Sequence, residues 1–412
     1  MQTVIRADRV FDGTGDEPIE HGVVVLEDGL IREVGERGTV REPQSEADVF
    51  DFDGCTMLPG LIDGHVHLVF STRARPLADL LADDDQTLLV RAVHNAQVAL
   101  QAGVTTVKDL GDRRGVLFAL RDAIARCILP GARILAAGPP ITTTGGHCHW
   151  LGGEADTIDD LRRAVRGLVK AGADIVKVMA TGGRMTAGTN VTAAQYSVEE
   201  LTALVDDARR LDRTVIAHCH GTAGIRNAVA AGVNVVEHCT WIAAGASDEV
   251  DYDLSVARQM AEKGVFMSTT LAPHELHTRL DPSLRSATFP ETEKIRPQVV
   301  EAHRQSIAAG VEIACGTDAG VAHAPLDTLL LEINLLHERL GLSPAAALRA
   351  ATFNGARSAG KESELGSLQP GRRGDVLVVE GNPLRKLRDL YHTRAVFKDG
   401  VLEVENGRLV RA

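Results

Sequence analysis

Aromatic residues make up only 3% of the 412 residues, so any core must be built mainly from Ala, Val, Leu and Ile, which the 44% apolar content permits. Basic runs are missing too, and the net charge is −12. That argues against nucleic acid, which requires a positive footprint. No window approaches eighteen continuous apolar residues, so no membrane span is expected. The start, "MQTVIRADRVFDGTG", has no apolar stretch of the kind a signal peptide carries. Cysteines stand at 55, 127, 148, 219, 239 and 315, with no Cys-x-x-Cys pair. Thiols scattered in this way suit a reducing cytoplasm better than a disulfide framework or a zinc finger.

What is present is organised in three stretches. The first sixty residues ("TVIRADRVFDG", "GVVVLEDGLIREVG", "ADVFDFDGCTMLPG") alternate apolar and polar residues between Gly and Asp turns. The last fifty do the same in "GDVLVVEGNP" and "TRAVFKDGVLEVENGRLV". Chain ends often lie close together, so these segments are expected to pair into one small β-sandwich, residues 1–59 with 360–412.

The middle, residues 60–359, alternates strands and helices. Strands are expected at 61–66, 104–108, 132–137, 174–179, 214–218, 234–237, 265–270 and 312–316. Helices fall between them, as in "TIDDLRRAVRGLVKAG" and "SVEELTALVDDARRLD". An "AG" pair precedes four of the strands and reads as a helix C-terminal glycine. Eight such units in about 300 residues are the arithmetic of an α/β fold of the (β/α)8 TIM-barrel type. A doubly wound open sheet is the alternative, but it usually carries a Gly-rich phosphate loop after its first strand, and none is present. Residues 273–298 form a longer connection, expected to be a lid or an active-site loop.

In a barrel, chemistry gathers at the C-terminal ends of the strands. There the sequence places His65 and His67, Lys177 in "DIVKVMATGG", His218 in "VIAHCHG", His238 in "VVEHCT", and Asp318 in "ACGTDAG". Residues i and i+2 of a strand face one side, so His65 and His67 can share an ion. Imidazole and carboxylate ligands suit Zn²⁺ and similar metals. Lys177 lies in an apolar strand, where burial drives an amine toward its neutral form. Neutral lysine can add CO2 to become a carbamate; a lysine salt-bridged to a buried acid is the other reading.

The motifs "PGLIDGHVHL", "KVMATGG", "AHCHG", "VEHCT" and "GTDAG", in this order, resemble those of the amidohydrolase superfamily. The likeness is closest to its prolidase-like branch of Xaa-Pro dipeptidases and amide and urea hydrolases, and it covers nearly the whole chain. It implies two divalent metal ions, Zn foremost with Mn, Co or Fe as alternatives, bridged by a carboxylated Lys177. It gives His65, His67 and Asp318 to the more buried ion, and His218 and His238 to the other. It also implies attack by a metal-bridging hydroxide on a C–N bond of amide, peptide, carbamate or urea type, with Asp318 as general base and then acid. His147, in "TTTGGHCHW", is the residue the likeness sets against the substrate, to polarise its carbonyl.

His149, Arg184, Tyr196 and His220 are further candidates for contact with a substrate carboxylate or other polar group. His274, His277 and His323 follow late strands, and His94, His303 and His337 fall on helices and are expected at the surface. A lactonase or organophosphate hydrolase on the same binuclear site, and a non-catalytic scaffold of this fold, are the rival functions. A deaminase fits less well, because such relatives carry His-x-x-Glu after strand 5, and here that position is Gly221. The expected partner is a small molecule in the cytoplasm, with neither nucleic acid nor membrane; a homo-oligomer is left open.

Overall fold

The structure is a computed structural model, described for residues 2–43, 47–245, 248–280 and 292–410. Its strands are β1 (Gln2–Val10), β2 (Ile19–Glu20), β3 (Gly22–Glu27), β4 (Leu30–Glu36), β5 (Ala47–Pro59), β6 (Leu61–Val66), β7 (Val104–Asp109), β8 (Arg133–Ala136), β9 (Val176–Met179), β10 (Val215–Gly221), β11 (Val235–Ile242), β12 (Phe266–Ser268), β13 (Val376–Glu380), β14 (Thr393–Lys398), β15 (Val401–Glu405) and β16 (Arg408–Leu409).

The two ends of the chain do meet. They form one nine-stranded sheet in the order β16-β15-β14-β13-β5-β1-β3-β4, with β2 on β1. The thirteen-residue β5 makes this possible. It pairs in parallel with β1 along its length, while Cys55–Pro59 also pair antiparallel with β13. Ile5, Val24, Met57, Val376 and Phe397 pack together in one apolar cluster of that sheet.

The middle holds two parallel sheets, β6-β7-β8 and β12-β11-β10-β9. Their strands are buried on both faces, as expected where helices cover a parallel sheet. Backbone bonds link the sheets. Asp174 N donates to Ala136 O at 2.9 Å, and Ile141 N to Lys177 O at 2.8 Å. On the other side Ala314 N donates to Met267 O at 3.0 Å, and Gly64 N to Cys315 O at 2.8 Å.

The expected strand at 312–316 is not a regular strand; it makes an isolated bridge at Ile313. Competing partners explain this. Cys315 N donates to Ala350 O at 2.9 Å, and Ile313 O accepts from the Asn354 amide at 2.9 Å.

The helices follow the local signals. Thr157 caps helix Ile158–Ala171, and Ser197 with Glu200 forms a capping box on Val198–Arg210. The "AG" glycines 103, 172, 232 and 310 all have positive φ, the conformation a helix C-terminus needs. The span 273–298 is not one loop. Helices Ala272–Arg279 and Thr292–Ala308 occupy its two ends, and residues 281–291 lie outside the described residues. Among the described residues no helix is long and apolar enough to cross a membrane.

Candidate metal centre

The sequence aims its polar residues inward by breaking strand regularity at the strand ends. His238 and Asp318 both have φ of +62°, a conformation L-residues rarely adopt. Between Cys219 and Gly221 the β10–β11 register shifts. Around Asp318 the glycines of "GTDAG" are required. A Cβ on Gly316 would come within 2.9 Å of the His65 Cβ, and one on Gly320 (φ +106°) would overlap the His67 carbonyl. Asp63 ties this turn to β6 by accepting from His65 N and Thr317 N, each at 3.1 Å, and from the Thr317 hydroxyl at 2.7 Å.

Asp318 Oδ1 lies 3.4 Å from His65 Nε2 and 3.3 Å from His67 Nε2. The opposite nitrogens are held by the protein: His65 Nδ1 donates to Glu237 Oε2 at 2.8 Å, and His67 Nδ1 to the Gly111 carbonyl at 3.2 Å. The His238 ring is 5.3 Å from that of His65 and 4.7 Å from that of His218. His238 Nδ1 is 2.8 Å from the Thr270 hydroxyl, and His218 Nε2 donates to the Gly182 carbonyl at 3.2 Å. Among the described residues two groups, His65/His238/Asp318 and His218/His220/His238, bring their ligating atoms within 4.8 Å of one another.

Burial dominates the electrostatics. It lowers the pKa of His218 and His238 well below the usual imidazole range, helped by neighbouring imidazoles. It takes His147 and His220 down to about 3, aided by Lys177 at His147 and by Arg184 at His220. These rings are therefore neutral, as ligands must be. Burial would raise the pKa of Asp318, but His65 and His67 outweigh it and hold the carboxylate low. Lys177 is 1% exposed, and burial lowers its pKa despite Glu237 and Asp318. Its Nζ has no hydrogen-bond partner among the described residues, so the salt-bridged lysine considered from sequence is not what stands here.

His65, His67, His147, Lys177, Arg184, His218, His220, His238 and Asp318 all line one cavity of ≈ 960 Å³. Its remaining wall is largely apolar, with Phe70, Leu77, Met185, Ile295 and Val321 among the lining residues. Among the described residues, the lining charges apart from the imidazoles and Lys177 are Arg75, Arg184, Arg296 and the single acid Asp318.

Two sequence candidates stand elsewhere. Tyr196 is buried and its hydroxyl donates to Ala155 O at 2.8 Å, while His149 is exposed outside the cavity. His274 and His323 line the cavity, and His277 is buried outside its lining. His94 and His337 are exposed as expected, but His303 is not. It is fully buried and its Nε2 donates to the carbonyls of His238 and Cys239 at 3.0 and 3.1 Å, because helix Thr292–Ala308 packs against β11.

Sequence reasoning missed the partners of the imidazoles. Glu237 was the most accessible of them: an acid inside the apolar run "VVEH" needs a buried partner. Thr186, Thr240 and Thr270 carried no such signal.

Parallel strands that deliver imidazoles, a carboxylate and a buried lysine to one cavity define a metal-dependent hydrolase. The amidohydrolase family model matches residues 56–402, and the chain belongs to that family. It is 30% identical to ochratoxinase of Aspergillus niger over 96% of this chain and 84% of that protein. It is 26% identical to imidazolonepropionase of Geobacillus sp. (strain WCH70) over 95% of this chain and 92% of that one. Among solved structures it resembles a Xaa-Pro dipeptidase with methionine bound in its active site, with a TM-score of 0.86 and 30% identity over 98% of this chain and 100% of the other. The A. niger ochratoxinase structure gives a TM-score of 0.84, at 28% identity over 97% and 95%. The reaction of this chain is metal-dependent hydrolysis of a carbon–nitrogen bond.

Proposed function

We propose that the chain hydrolyses the amide bond of a small substrate with a free carboxylate, an N-acyl amino acid or dipeptide, at a site holding two zinc ions. The observation that carries this reading is the orientation of the imidazoles. His65 and His67 engage Nδ1 with protein acceptors and turn Nε2 toward Asp318, while His238 and His218 each engage one nitrogen and leave the other. That is how ligating histidines are held. Imidazole and carboxylate donors suit zinc.

Lys177 fits the same reading. Burial drives its Nζ, which has no hydrogen-bond partner among the described residues, toward the neutral amine, the form that adds CO2 with release of one proton to leave a carbamate anion. By the family likeness His65, His67 and Asp318 would hold one ion, and His218 and His238 the other, with carboxylated Lys177 between them. When bound, such ions lower the pKa of water and polarise a carbonyl oxygen.

The chain's own residues do the rest. Asp318, kept ionised by His65 and His67, accepts a proton from the attacking water and returns it to the leaving nitrogen. His147 addresses the carbonyl oxygen. Its Nδ1 is 3.1 Å from the Thr186 hydroxyl, whose oxygen already accepts from Cys148 N at 2.9 Å and Trp150 Nε1 at 3.3 Å. With its acceptor sites filled, that hydroxyl gives its proton to Nδ1 and leaves the imidazole proton on Nε2, as a donor. Arg184 and Arg296 line the cavity, Arg296 also pairing with Glu275 at 3.1 Å, and they are the guanidinium groups a substrate carboxylate would meet there. The bound methionine of the Xaa-Pro dipeptidase relative supports an amino-acid-like substrate.

The architecture belongs to the same proposal. The two parallel sheets, joined through residues 136–141 and 312–319, form one (β/α)8 barrel over residues 60–359. Residues 1–59 and 360–412 form a composite β-domain. Six unpaired thiols support a cytoplasmic protein.

The test is amino-acid release from N-acyl amino acids and dipeptides, each compared with its C-terminal carboxamide. The free carboxylates are expected to give kcat/KM about tenfold higher or more, the worth of a charged hydrogen bond. Equal rates, or a lactone or phosphotriester turned over faster than every amide, would overturn the reading.

A further inference from the structure

We infer that His220 is a third imidazole ligand of the ion held by His218 and His238, so that β10 delivers a His-x-His pair as β6 does with His65 and His67. This rests on the reading that the cavity binds divalent ions. It replaces substrate contact, the role His220 has from sequence alone.

Geometry comes first. The ring centroids of His218, His220 and His238 lie 4.7 Å apart in all three pairs, and their ligating nitrogens fall within 4.8 Å of one another. The backbone at His220 is fixed, since its N–H donates to the Thr181 hydroxyl at 3.0 Å.

The proton count settles the tautomer. The Thr240 hydroxyl donates its only proton to the His220 carbonyl at 3.0 Å. The same oxygen lies 3.1 Å from His220 Nδ1, so it must accept there, and Nδ1 carries the imidazole proton. Nε2 is then a bare lone pair. A lone pair repels a substrate carboxylate and ligates a cation. His218 donates through Nε2 to Gly182, which leaves Nδ1 bare, and Thr270 engages Nδ1 of His238. All three rings thus have one nitrogen engaged by a neighbour, the arrangement typical of ligating histidines.

Three neutral imidazoles equal the number of protein ligands a catalytic-type zinc site uses, so they would hold the ion even where the carbamate of Lys177 is missing. Such a site does not depend on carboxylated Lys177 for its ion.

The experiment is equilibrium dialysis of the full chain against chelator-buffered zinc, with bound metal read by mass spectrometry. Wild type is expected to bind two ions. His220→Ala should hold one of them more than about 100-fold more weakly, beyond the loss of a mere outer partner, and free imidazole should partly restore it. Lys177→Ala should keep one ion, and adding His220→Ala should remove it. Two ions at wild-type affinity in His220→Ala, with only KM raised, would overturn the inference and leave the two-ion reading standing. Wild type that binds no ion would overturn both. A zinc-loaded wild-type crystal provides a check free of any folding defect in the variant. His220 Nε2 at about 2.0–2.1 Å from zinc supports the inference, and Nε2 turned away from the ion overturns it.

Discussion

His65 Nδ1 stands 2.8 Å from Glu237 Oε2, and both side chains are buried. One strand, β11, therefore supports one candidate ligand through Glu237 and supplies the next, His238. Glu237 would be raised in pKa by burial, yet His65 and Lys177 hold it down to about 2. Replacing it with Ala leaves the His65 N–H without its acceptor. We expect metal affinity to fall about 10–100-fold and stability to fall by about 1–3 kcal/mol. Metal titration and urea unfolding measure these separately, and unchanged affinity would remove Glu237 from the centre.

Gly183 packs against the His147 ring, and a methyl built there would overlap it. Gly183→Ala should push His147 off the carbonyl without changing metal content. The expected loss in kcat is up to about 10²–10³-fold, the worth of one carbonyl-polarising donor. Wild-type kcat with matched metal would mean that His147 does not act on the carbonyl.

Asp318 is both near two imidazoles and the only acid among the described residues that line the cavity. Asp318→Asn should slow an alkyl amide by about 10²–10⁴-fold. An anilide, whose leaving group needs less protonation, should suffer less. kcat/KM across a leaving-group series, at matched metal content, checks this. Equal losses along the series would make Asp318 a ligand without a proton-transfer role.

Glu332 couples stability to pH. Its carboxyl accepts from the Thr269 hydroxyl at 2.8 Å, Leu271 N at 3.0 Å and Ala272 N at 2.6 Å, bracing the loop that carries Thr270. Burial raises its pKa from 4.5 to about 7, against those hydrogen bonds. A raised folded pKa means that the folded state takes up a proton. Its contribution is fully present below pH 4.5 and is lost as pH rises through 7. Buried Asp112, raised to about 6, acts in the same direction. Below pH 6.5 the buried neutral imidazoles act in the opposite direction, so the Glu332 contribution is read as a difference: the stability of wild type relative to Glu332→Gln should fall from pH 4.5 to 7.5 by on the order of a few kcal/mol, which changes the slope of the urea midpoint against pH. An unchanged slope would contradict the assignment.

Much of this site was legible because function here sits at strand ends, where a polar residue interrupts an apolar run. "GHVH", "AHCH", "VEH" and "GTD" all have that form, and all meet in the cavity. Seven of the eight expected middle strands form. The eighth does not, because Ala350 and Asn354 capture its backbone groups, a tertiary effect no local pattern announces. Tyr196 and His303 were misplaced for a related reason. Each satisfies its polar atom on a distant backbone carbonyl, so burial carries no cost that the sequence could reveal.

Stepwise zinc titration of chelated protein, with amide hydrolysis and bound metal read together, tests the metal-dependent mechanism most directly. The account predicts no turnover without metal and activity that rises until two ions are bound. It further predicts that Lys177→Ala stays nearly inactive at any zinc level, with partial recovery on adding a short-chain carboxylate. Turnover by metal-free protein, or full activity in Lys177→Ala, would contradict it.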